Sequence, residues 1–283
     1  MIYRQLGATG ETISVVGFGG ILCTGTTPAE SAAIVGEAID AGVTYFDVAP
    51  TYGDAEEKLG PALEPYRDKV FLACKTTRRD RDGAALELRQ SLGRLKTDHF
   101  DLYQLHSMTT QEDIDQTFGP GGAAEELIEA RRLGLVRHLG FSAHTEEAAL
   151  ACLERFEFDS VLFPTNYLIA TQGNFGPRVF EAVRRRGIGF LALKALGLGL
   201  WLEGEQRGWS KCWYQPTDQA DLASISLRWT LNQGVHGAPT PGHPELFRLA
   251  VAAVADGEAP MPSEEELAYL TTSLGERKPI FSV

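Results

Sequence analysis

The chain has 283 residues, of which 43% are hydrophobic and 23% are charged, a composition typical of a globular protein with a large core and not of a disordered chain. The formal net charge of −12 argues against a general affinity for nucleic acid or anionic membranes, whose phosphates would repel an acidic protein. The length suits one α/β domain, since single-domain barrels have roughly 250 residues, and we expect one domain over residues 1–283.

The first predicted element is a β-hairpin in the segment MIYRQLGATGETIS. Two short strand-like pieces there flank the turn Gly7–Gly10. We expect this hairpin to close the bottom of a barrel built by the rest of the chain.

Short apolar or β-branched runs then alternate with segments of helical periodicity, which indicates repeated βα units and a parallel sheet. The predicted strands are Ser14–Gly19, Tyr45–Val48, Val70–Lys75, Leu102–His106, Arg137–Ser142, Ser160–Thr165, Gly189–Leu193 and Val235–Pro239. The predicted helices between and after them are Pro28–Ala41, Ala55–Leu63, Ala84–Leu95, Ala123–Leu133, Thr145–Phe156, Pro177–Arg186, Gln219–Asn232 and Pro244–Ala255. Eight such units predict an α/β fold, a (β/α)8 TIM barrel with the N-terminal hairpin and a C-terminal extra helix, Ser263–Leu274.

Helix ends and long loops are marked by their own residues. Thr27 is placed to cap the first helix, with Pro28 at its first position. Glycines that follow helices predict their ends, at Gly42, Gly134, Gly187 and Gly234. Two segments fall outside the eightfold pattern, the polar Met108–Gly122 and the Gly- and Trp-rich Gly197–Asp218, and both are predicted to be loops. Long loops on the rim of a barrel usually bind something.

Four polar residues lie at or just after the ends of three consecutive predicted strands: Asp47, Tyr52, Lys75 and His106. Each gap between strands is long enough for a helix and a return strand, so these side chains are expected to meet on one rim. An acid, a phenol, an amine and an imidazole gathered there favour proton transfer at a carbonyl group. Singly, each residue also fits a structural role, as an ion pair, a packed aromatic or a core histidine.

The segments around these residues are FDVAPTYGDAEEKLG, LACKT, FDLYQLH and GLVRHLGFSAH. Together they resemble the aldo-keto reductase family, and the resemblance extends from about Gly7 to the helix after Pro241. It implies a (β/α)8 barrel and NADPH-dependent reduction of an aldehyde or ketone, or oxidation of the corresponding alcohol. The pyridine nucleotide would lie across the rim without a Rossmann domain.

The resemblance also implies roles for the four residues. Tyr52 would be the general acid that protonates the carbonyl oxygen. Lys75, oriented by a salt bridge to Asp47, would favour the phenolate and lower the pKa of Tyr52 from its usual value of about 10. His106 would donate a hydrogen bond to the carbonyl group and orient it.

The implied cofactor is NADP(H), with NAD(H) left open. Ser142 and Asn166 match positions that hold the nicotinamide carboxamide, and the segment PTPGHPELFRLAV resembles the loop that binds the adenosine phosphate, with His243 and Arg248 as candidates. Each could instead satisfy backbone groups or carry a solvated charge. The full predicted cofactor set is Gly20, Ile21, Asp47, Ser142, Asn166, Leu193, Lys194, Leu196, Gly197, Gly242, His243 and Arg248.

Several positions depart from the family pattern. Leu193 stands where many members stack an aromatic ring on nicotinamide, Leu162 stands where a glutamine is expected, and the eighth loop is short and lacks an Arg/Lys–Ser pair and a later asparagine. The choice between NADP and NAD therefore stays open. The seventh strand and the segment TTQEDIDQTFGPGGA resemble a branch that often carries a cysteine-rich iron–sulfur extension, and no such segment occurs up to Val283.

Two other functions remain compatible with these residues. The altered seventh strand and eighth loop would also suit a catalytically weak NADP(H)-binding regulatory or redox-sensing protein on the same barrel, and a lyase or isomerase barrel would lack the nucleotide site. The expected ligand is a small-molecule carbonyl compound or alcohol. Its pocket is predicted near Phe18, Ile21 and Tyr103, with Trp201, Trp209 and Trp213 either lining it or packing their loop.

The four cysteines, Cys23, Cys74, Cys152 and Cys212, are far apart, without a CxxC motif or a Cys/His cluster at ligand spacing, so no metal site is predicted. The N-terminus lacks a basic region followed by an apolar one, and no apolar stretch reaches about 18 residues. We expect a cytoplasmic protein with neither nucleic acid nor membrane as a partner. The oligomeric state is left open.

Overall fold

The computed structural model describes residues 1–283, and parallel strands form its centre. The twelve strands are β1 (Tyr3–Gln5), β2 (Thr12–Ser14), β3 (Val16–Gly19), β4 (Tyr45–Asp47), β5 (Phe71–Thr76), β6 (Phe100–Met108), β7 (Val136–Ala143), β8 (Ser160–Pro164), β9 (Gly189–Leu193), β10 (Gly197–Gly199), β11 (Gln215–Pro216) and β12 (Ala238–Pro239). Eight of them form one sheet in the order β12-β3-β4-β5-β6-β7-β8-β9. A parallel bridge between Leu191 and Gly237 joins the two ends of this sheet, which closes it into a (β/α)8 barrel.

Helices surround the barrel. They are α1 (Pro28–Asp40), α2 (Ala55–Leu63), α3 (Arg81–Arg94), α4 (Gln111–Phe118), α5 (Ala123–Arg132), α6 (Glu146–Arg155), α7 (Tyr167–Thr171), α8 (Pro177–Arg186), α9 (Ala220–Leu231), α10 (Pro244–Ala252) and α11 (Glu264–Leu274), with 3₁₀ turns at Gly20–Cys23 and Glu64–Lys69. No helix combines the length and the apolar character needed to cross a membrane.

The eight predicted βα units, the N-terminal hairpin and the final helix are all confirmed, with ends that shift by a few residues. The cap of α1 is as predicted, because the Thr27 side chain accepts the backbone N–H of Glu30 and the Glu30 side chain accepts that of Thr27. The glycines predicted to end helices all adopt a left-handed backbone, at Gly42, Gly134, Gly187 and Gly234.

The two predicted loops contain secondary structure that the sequence analysis missed. Helix α4 lies within Met108–Gly122, and it begins at a reciprocal cap in which Thr110 and Asp113 each accept the other's backbone N–H. The helix α7 is also new. Within Gly197–Asp218, strands β10 and β11 pair as a short antiparallel ribbon. The description of these segments as loops is therefore wrong, although both still lie on the rim.

Side chains alternate along each strand between the barrel interior and the surrounding helices. In β4, Tyr45 packs in the interior cluster and Phe46 packs in the cluster between barrel and helices, which leaves Asp47 on the inward side. In β5, Phe71 packs in the interior cluster, and Lys75, four residues further along the strand, lies on the same face. The alternation thus directs two charged side chains into the upper barrel.

The lower end of the barrel is filled by the hairpin of β1 and β2. Leu6 and Ile13 are fully buried there. They pack against inward-facing barrel residues, Tyr45, Phe71, Ala73, Leu102, Leu162 and Leu191. The prediction that the hairpin closes the bottom of the barrel is confirmed. The polar residues of the strand ends lie at the opposite end.

Candidate active site

A cavity of about 500 Å³ lies at the carboxyl ends of the barrel strands. Asp47, Tyr52, Lys75 and His106 all line it. A second cavity, of about 380 Å³, lies between the hairpin and α8 and contains none of these residues. The structure therefore brings the four predicted residues together at the carboxyl ends of the strands, where the active sites of (β/α)8 barrel enzymes lie.

Asp47 and Lys75 form a buried ion pair at the base of this cavity, with side chains 3% and 1% exposed. Lys75 Nζ donates to Asp47 Oδ1 and also to the carbonyl oxygen of Val48 at 3.2 Å. Burial alone would lower the pKa of Lys75, but the charges of Asp47 and Tyr52 and the hydrogen bond to Asp47 outweigh it, so this pKa is raised. The ammonium therefore stays charged beneath the cavity.

Two residues that the sequence analysis did not single out hold the other carboxylate oxygen. Asp47 Oδ2 accepts from Gln104 Nε2 at 3.1 Å and from the Tyr45 hydroxyl at 3.2 Å. Tyr45 precedes Asp47 by two residues, and Gln104 precedes His106 by two, so both face the interior with their neighbours. A polar side chain at an inward position of an apolar strand was the available signal.

Tyr52 lies beside Lys75, whose Nζ is 5.5 Å from the centre of the phenol ring. Burial raises the pKa of Tyr52, the charge of Lys75 lowers it and the charge of Asp47 raises it, and the net pKa is above that of an ordinary tyrosine. The expected contribution of Lys75 has the predicted sign, but the expected net lowering is wrong in this structure, because loss of hydration outweighs the nearby cation. The phenol is protonated at neutral pH.

His106 packs edge to face with Tyr52, with ring centres 6.1 Å apart. Burial lowers the pKa of His106 to about 3, and the positive charges of Lys75 and Arg79 act in the same direction. The imidazole is therefore neutral at pH 7 and carries one N–H. Its Nδ1 atom is buried without a hydrogen-bond partner in the protein. A neutral imidazole can donate a hydrogen bond but is a poor acid, which leaves the phenol as the better proton donor.

The end of β6 is bent directly after His106. Ser107 has a left-handed backbone, with φ of 59°, and the pairing of β6 with β7 shifts register between Leu105 and Met108. Arg79 Nη2 secures the bend by donating to the carbonyl oxygens of His106 at 2.8 Å and Ser107 at 3.3 Å. Such a conformation costs about 1–3 kcal/mol and persists only where its surroundings enforce it, often at functional sites.

The two residues assigned to the carboxamide have different surroundings. Ser142 Oγ lines the cavity and accepts the backbone N–H of Ser107 at 2.8 Å, so its own proton is free to donate. Asn166 caps α7, because its Oδ1 accepts the N–H of Ile169 at 2.9 Å, and its Nδ2 donates to the carbonyl oxygen of Lys194 at 3.0 Å. Ser142 is thus available to a ligand, whereas Asn166 supports the cavity wall from behind.

The predicted cofactor residues divide into two groups. Those that line the cavity are Ile21, Asp47, Ser142, Leu193, Lys194 and Gly242. Those that do not line it are Gly20, Asn166, Leu196, Gly197, His243 and Arg248. On the surface, Arg248 pairs with both carboxylate oxygens of Glu37, at 2.7 and 2.9 Å. His243 Nε2 accepts the backbone N–H of Lys211 at 3.1 Å. Their roles toward a cofactor stay predictions.

Aromatic rings from two late segments form one wall of the cavity. Trp213 meets Tyr214 edge to face at 5.6 Å and Phe281 at 6.1 Å, and all three line the cavity. The indole N–H groups of Trp201 and Trp209 instead donate within the same loop segment. Trp213 therefore lines the cavity, whereas Trp201 and Trp209 pack their own loop segment.

Two residues predicted near the pocket lie elsewhere. Phe18 stacks on Phe46, with ring centres 4.9 Å apart, and Tyr103 stacks on Phe100 at 5.7 Å, all of them fully buried between barrel and helices. Their placement near the pocket is wrong, because strand positions of this parity face the helices rather than the interior.

The lining of the cavity is positively charged although the chain carries a net charge of −12. It contains three lysines, Lys75, Lys194 and Lys211, and one acid, Asp47. Asp47 neutralises Lys75, and burial lowers the pKa of the lining His144 to about 4, so this imidazole is neutral. Two positive charges remain in a concave site, which favours anionic ligands.

No group of three or more His, Cys, Asp or Glu side chains is arranged to hold a metal ion. The cysteines are all buried and free.

A closed βα barrel with this buried pair and an adjacent phenol defines the class of protein as an aldo-keto reductase barrel. The sequence model of the Aldo/keto reductase family matches residues 15–236, and the chain belongs to that family. The resemblance identified from the sequence motifs is thereby confirmed.

Named relatives agree with this assignment. An uncharacterised oxidoreductase, YqkF of Bacillus subtilis, is 35% identical over 154 residues, which cover 50% of this chain and 48% of that protein. The chain thus matches about half the length of this relative. D-galacturonate reductase of Fragaria ananassa is 26% identical over 80% of this chain and 76% of its own. The holo form of aldo-keto reductase AKR11C1 from Bacillus halodurans superimposes with a TM-score of 0.75 at 24% identity, covering 99% of this chain and 98% of that one, which shows the shared fold.

Proposed function

We propose that the protein is an NAD(P)H-dependent oxidoreductase that reduces an aldehyde or ketone to the alcohol, or catalyses the reverse oxidation, with Tyr52 as the general acid. The observation that carries this proposal is the buried ion pair of Asp47 and Lys75 beside the phenol of Tyr52, at the base of an open cavity. A buried ion pair contributes little to stability by itself, so its presence in a concave site favours a functional reason.

Each residue has a defined task in the reduction. When bound, the reduced nicotinamide would supply the hydride that adds to the carbonyl carbon. Tyr52 donates its phenolic proton to the carbonyl oxygen, and the charge of Lys75 stabilises the resulting phenolate. Asp47 holds Lys75 in place, and the neutral His106 donates its one N–H to the carbonyl oxygen and orients it.

The polar groups of the cavity fit a nicotinamide dinucleotide. Ser142 offers a free hydroxyl proton for the carboxamide, and Lys211 lies next to Gly242 at the beginning of α10, where a charged side chain and a helix N-terminus suit phosphate. We propose NADP(H) as the cofactor, with NAD(H) as the alternative to be measured, because Arg248 is engaged by Glu37 and its part in phosphate recognition is untested.

The direct test is consumption of NADPH and of NADH by the purified protein with a panel of aldehydes and ketones. Tyr52→Phe keeps the ring and removes the acid, and we expect kcat/KM to fall about 10²–10⁴-fold while nucleotide affinity is retained. Tyr214→Phe is the matched control, since it removes the other phenol that lines the cavity, and we expect most of the activity to remain. Full activity of Tyr52→Phe would refute the acid assignment, and a wild-type protein that neither binds nucleotide nor consumes it would refute the function.

A nucleotide-binding sensor is the second candidate, favoured by the apolar side chains of Leu162 and Leu193 at cavity positions where the family more often has polar or aromatic groups. Nanomolar nucleotide affinity with negligible turnover would identify a sensor. Rapid nucleotide exchange with turnover would identify the enzyme.

A further inference from the structure

Lys194 is a positively charged side chain in the cavity that the sequence analysis placed among the cofactor residues, and none of the proposed catalytic steps uses it. It directly follows β9, and it lines the cavity opposite the strands that carry the ion pair. Its ammonium makes no hydrogen bond and no ion pair within the protein, and Cys212 is the only titratable neighbour that favours its charge. A charge kept in a concave site without a partner favours an anionic ligand.

The backbone at Lys194 is held in an uncommon conformation. Its φ is 69°, in the left-handed region that few lysines adopt. Its carbonyl oxygen accepts from Asn166 Nδ2 at 3.0 Å and from the backbone N–H of Gly197 at 2.8 Å. Asn166 thereby acts as a positioning residue that keeps this turn in place, and the turn directs the side chain along the cavity wall.

Aromatic faces fix the position of the ammonium. Lys194 Nζ lies 4.7 Å from the ring centre of Tyr214 and 5.5 Å from that of Trp213. Phe281 packs edge-on against Trp213 on the same wall. Cation–π contacts of this kind stabilise a charged group without neutralising it, so the ammonium can still bind an anion. The apolar wall next to it suits an apolar ligand body.

The second unpaired cation of the cavity has different surroundings. Lys211 Nζ donates to the carbonyl oxygens of Ile21 at 3.3 Å and Leu22 at 3.2 Å, and its side chain packs against Gly242. It therefore serves the wall next to α10, where the proposed nucleotide phosphates would lie. Lys194 lies at the aromatic wall instead and is left for another anionic group.

We propose that Lys194 binds an anionic oxygen group, and that this group is a carboxylate of the substrate, so that the substrates are carbonyl compounds with an apolar body and an acidic end. This proposal rests on the proposed function. The same chemistry could come from a phosphate of the nucleotide, and the experiment below separates the two sources.

The protonation of Lys194 gives the proposal a pH dependence. Burial lowers the pKa of Lys194 to about 8, with a smaller opposing effect of Cys212. The group is charged below that pH and neutral above it, so affinity for a carboxylate is expected to fall as the pH rises through about 8. The facing groups are the aromatic rings, the neutral His144 and Cys212, whose pKa burial raises to about 11, and none of them titrates near pH 8.

The test compares two probes that differ in one charge, 4-carboxybenzaldehyde and its methyl ester. The measured quantity is the ratio of kcat/KM for the acid to that for the ester, which cancels general damage to the site. We expect Lys194→Met to lower this ratio about 10–100-fold, the size of one charge-assisted hydrogen bond, mainly through KM. Lys194→Arg should restore part of it. Lys211→Met removes an equal charge from the same cavity and is the matched control, for which we expect less than a threefold change in the ratio.

Three results would overturn the proposal: a ratio that Lys194→Met leaves unchanged, a fall of the same size in Lys211→Met, or a loss that appears as weaker NADPH affinity and affects both probes equally. The last would assign the anion to the nucleotide. A binding arm works without turnover, because Trp213 lies in the cavity and its fluorescence can report terephthalate and dimethyl terephthalate. If terephthalate alone binds, and Lys194→Met abolishes this, the anion site stands even where reduction fails.

Discussion

Asp47→Asn tests the ion pair that carries the proposed function. The variant keeps the shape of the side chain and one carbonyl oxygen, but it removes the negative charge that faces Lys75. The ammonium of Lys75 then has no anionic partner, and the carbonyl oxygen of Val48, at 3.2 Å, remains. The wild-type pair is almost fully buried, so water cannot replace the lost partner.

The expected loss of stability is large for one substitution. Removing one partner of a buried ion pair costs about 3–5 kcal/mol. The asparagine oxygen can still accept one hydrogen bond from Lys75 or from Gln104, which places the expected loss near the lower end, about 3 kcal/mol. For a chain of this size, this corresponds to a fall in Tm of roughly 6–12 °C.

The pH dependence of stability should change sign in the same variant. In the wild type, the pKa of Lys75 is raised, so its contribution is complete below the pKa of an unfolded lysine and is lost as the pH rises through the folded value. Without the charge of Asp47, burial dominates and the pKa of Lys75 falls below that of an unfolded lysine. The unfolded chain then binds more protons, and stability rises with pH toward about 10, by at most about 1.4 kcal/mol per pH unit.

Urea unfolding followed by tryptophan fluorescence at several pH values between about 7 and 9.5 measures both effects. The double variant with Lys75→Met should be more stable than Asp47→Asn alone, because no charge is left buried without a partner. Asp98→Asn is the matched control, since Asp98 is 94% exposed, and it should change stability by less than about 0.5 kcal/mol. The reasoning would be refuted if the double variant lost as much stability as the two single variants together. It would also be refuted if the stability of Asp47→Asn did not rise toward alkaline pH.

Other expectations follow from single contacts. Gln104→Leu should change stability by less than about 1 kcal/mol in urea unfolding, because it removes both a hydrogen bond to a carboxylate and a buried Oε1 atom that has no partner. Leu6→Ala should lower stability by about 2–5 kcal/mol through a cavity at the barrel bottom, whereas Leu86→Ala, at a 57% exposed position, should have little effect on Tm. With an uncharged substrate, kcat should be flat between about pH 5 and pH 9, because the pKa of His106 is about 3 and burial raises that of Tyr52. A titration of kcat near pH 7 would contradict this.

The fold could be predicted from local patterns because βα repeats place a strand and a helix in each unit. Gly189–Leu193 was predicted with its observed ends. What was missed depends on shorter signals, since α4 has only eight residues and starts at the reciprocal cap of Thr110 and Asp113. A polar stretch of that length reads as a loop unless the cap is recognised.

The four polar residues of the candidate site could be predicted from the sequence, but the residues that hold them in place could not. Their positions at or just after the ends of parallel strands were enough to predict that the four side chains meet on one rim. Tyr45 meets Asp47 through the alternation of side chains within β4. Gln104 meets it because β4 pairs with β5 and β5 with β6 in particular registers, and a single sequence does not show register. The misplaced Phe18 and Tyr103 have the same origin, because a shift of one position turns a side chain from the cavity to the helices.

The pKa of Tyr52 shows why a list of neighbours does not give the direction of a shift. From the sequence, Lys75 is the dominant neighbour and a lowered pKa follows. In the structure, the phenol loses its hydration in the same environment that strengthens the field of Lys75, and Asp47 cancels part of that field. The net result keeps the phenol protonated, which is the form that a carbonyl reduction consumes. In the proposed reaction, alcohol oxidation would instead start from the phenolate.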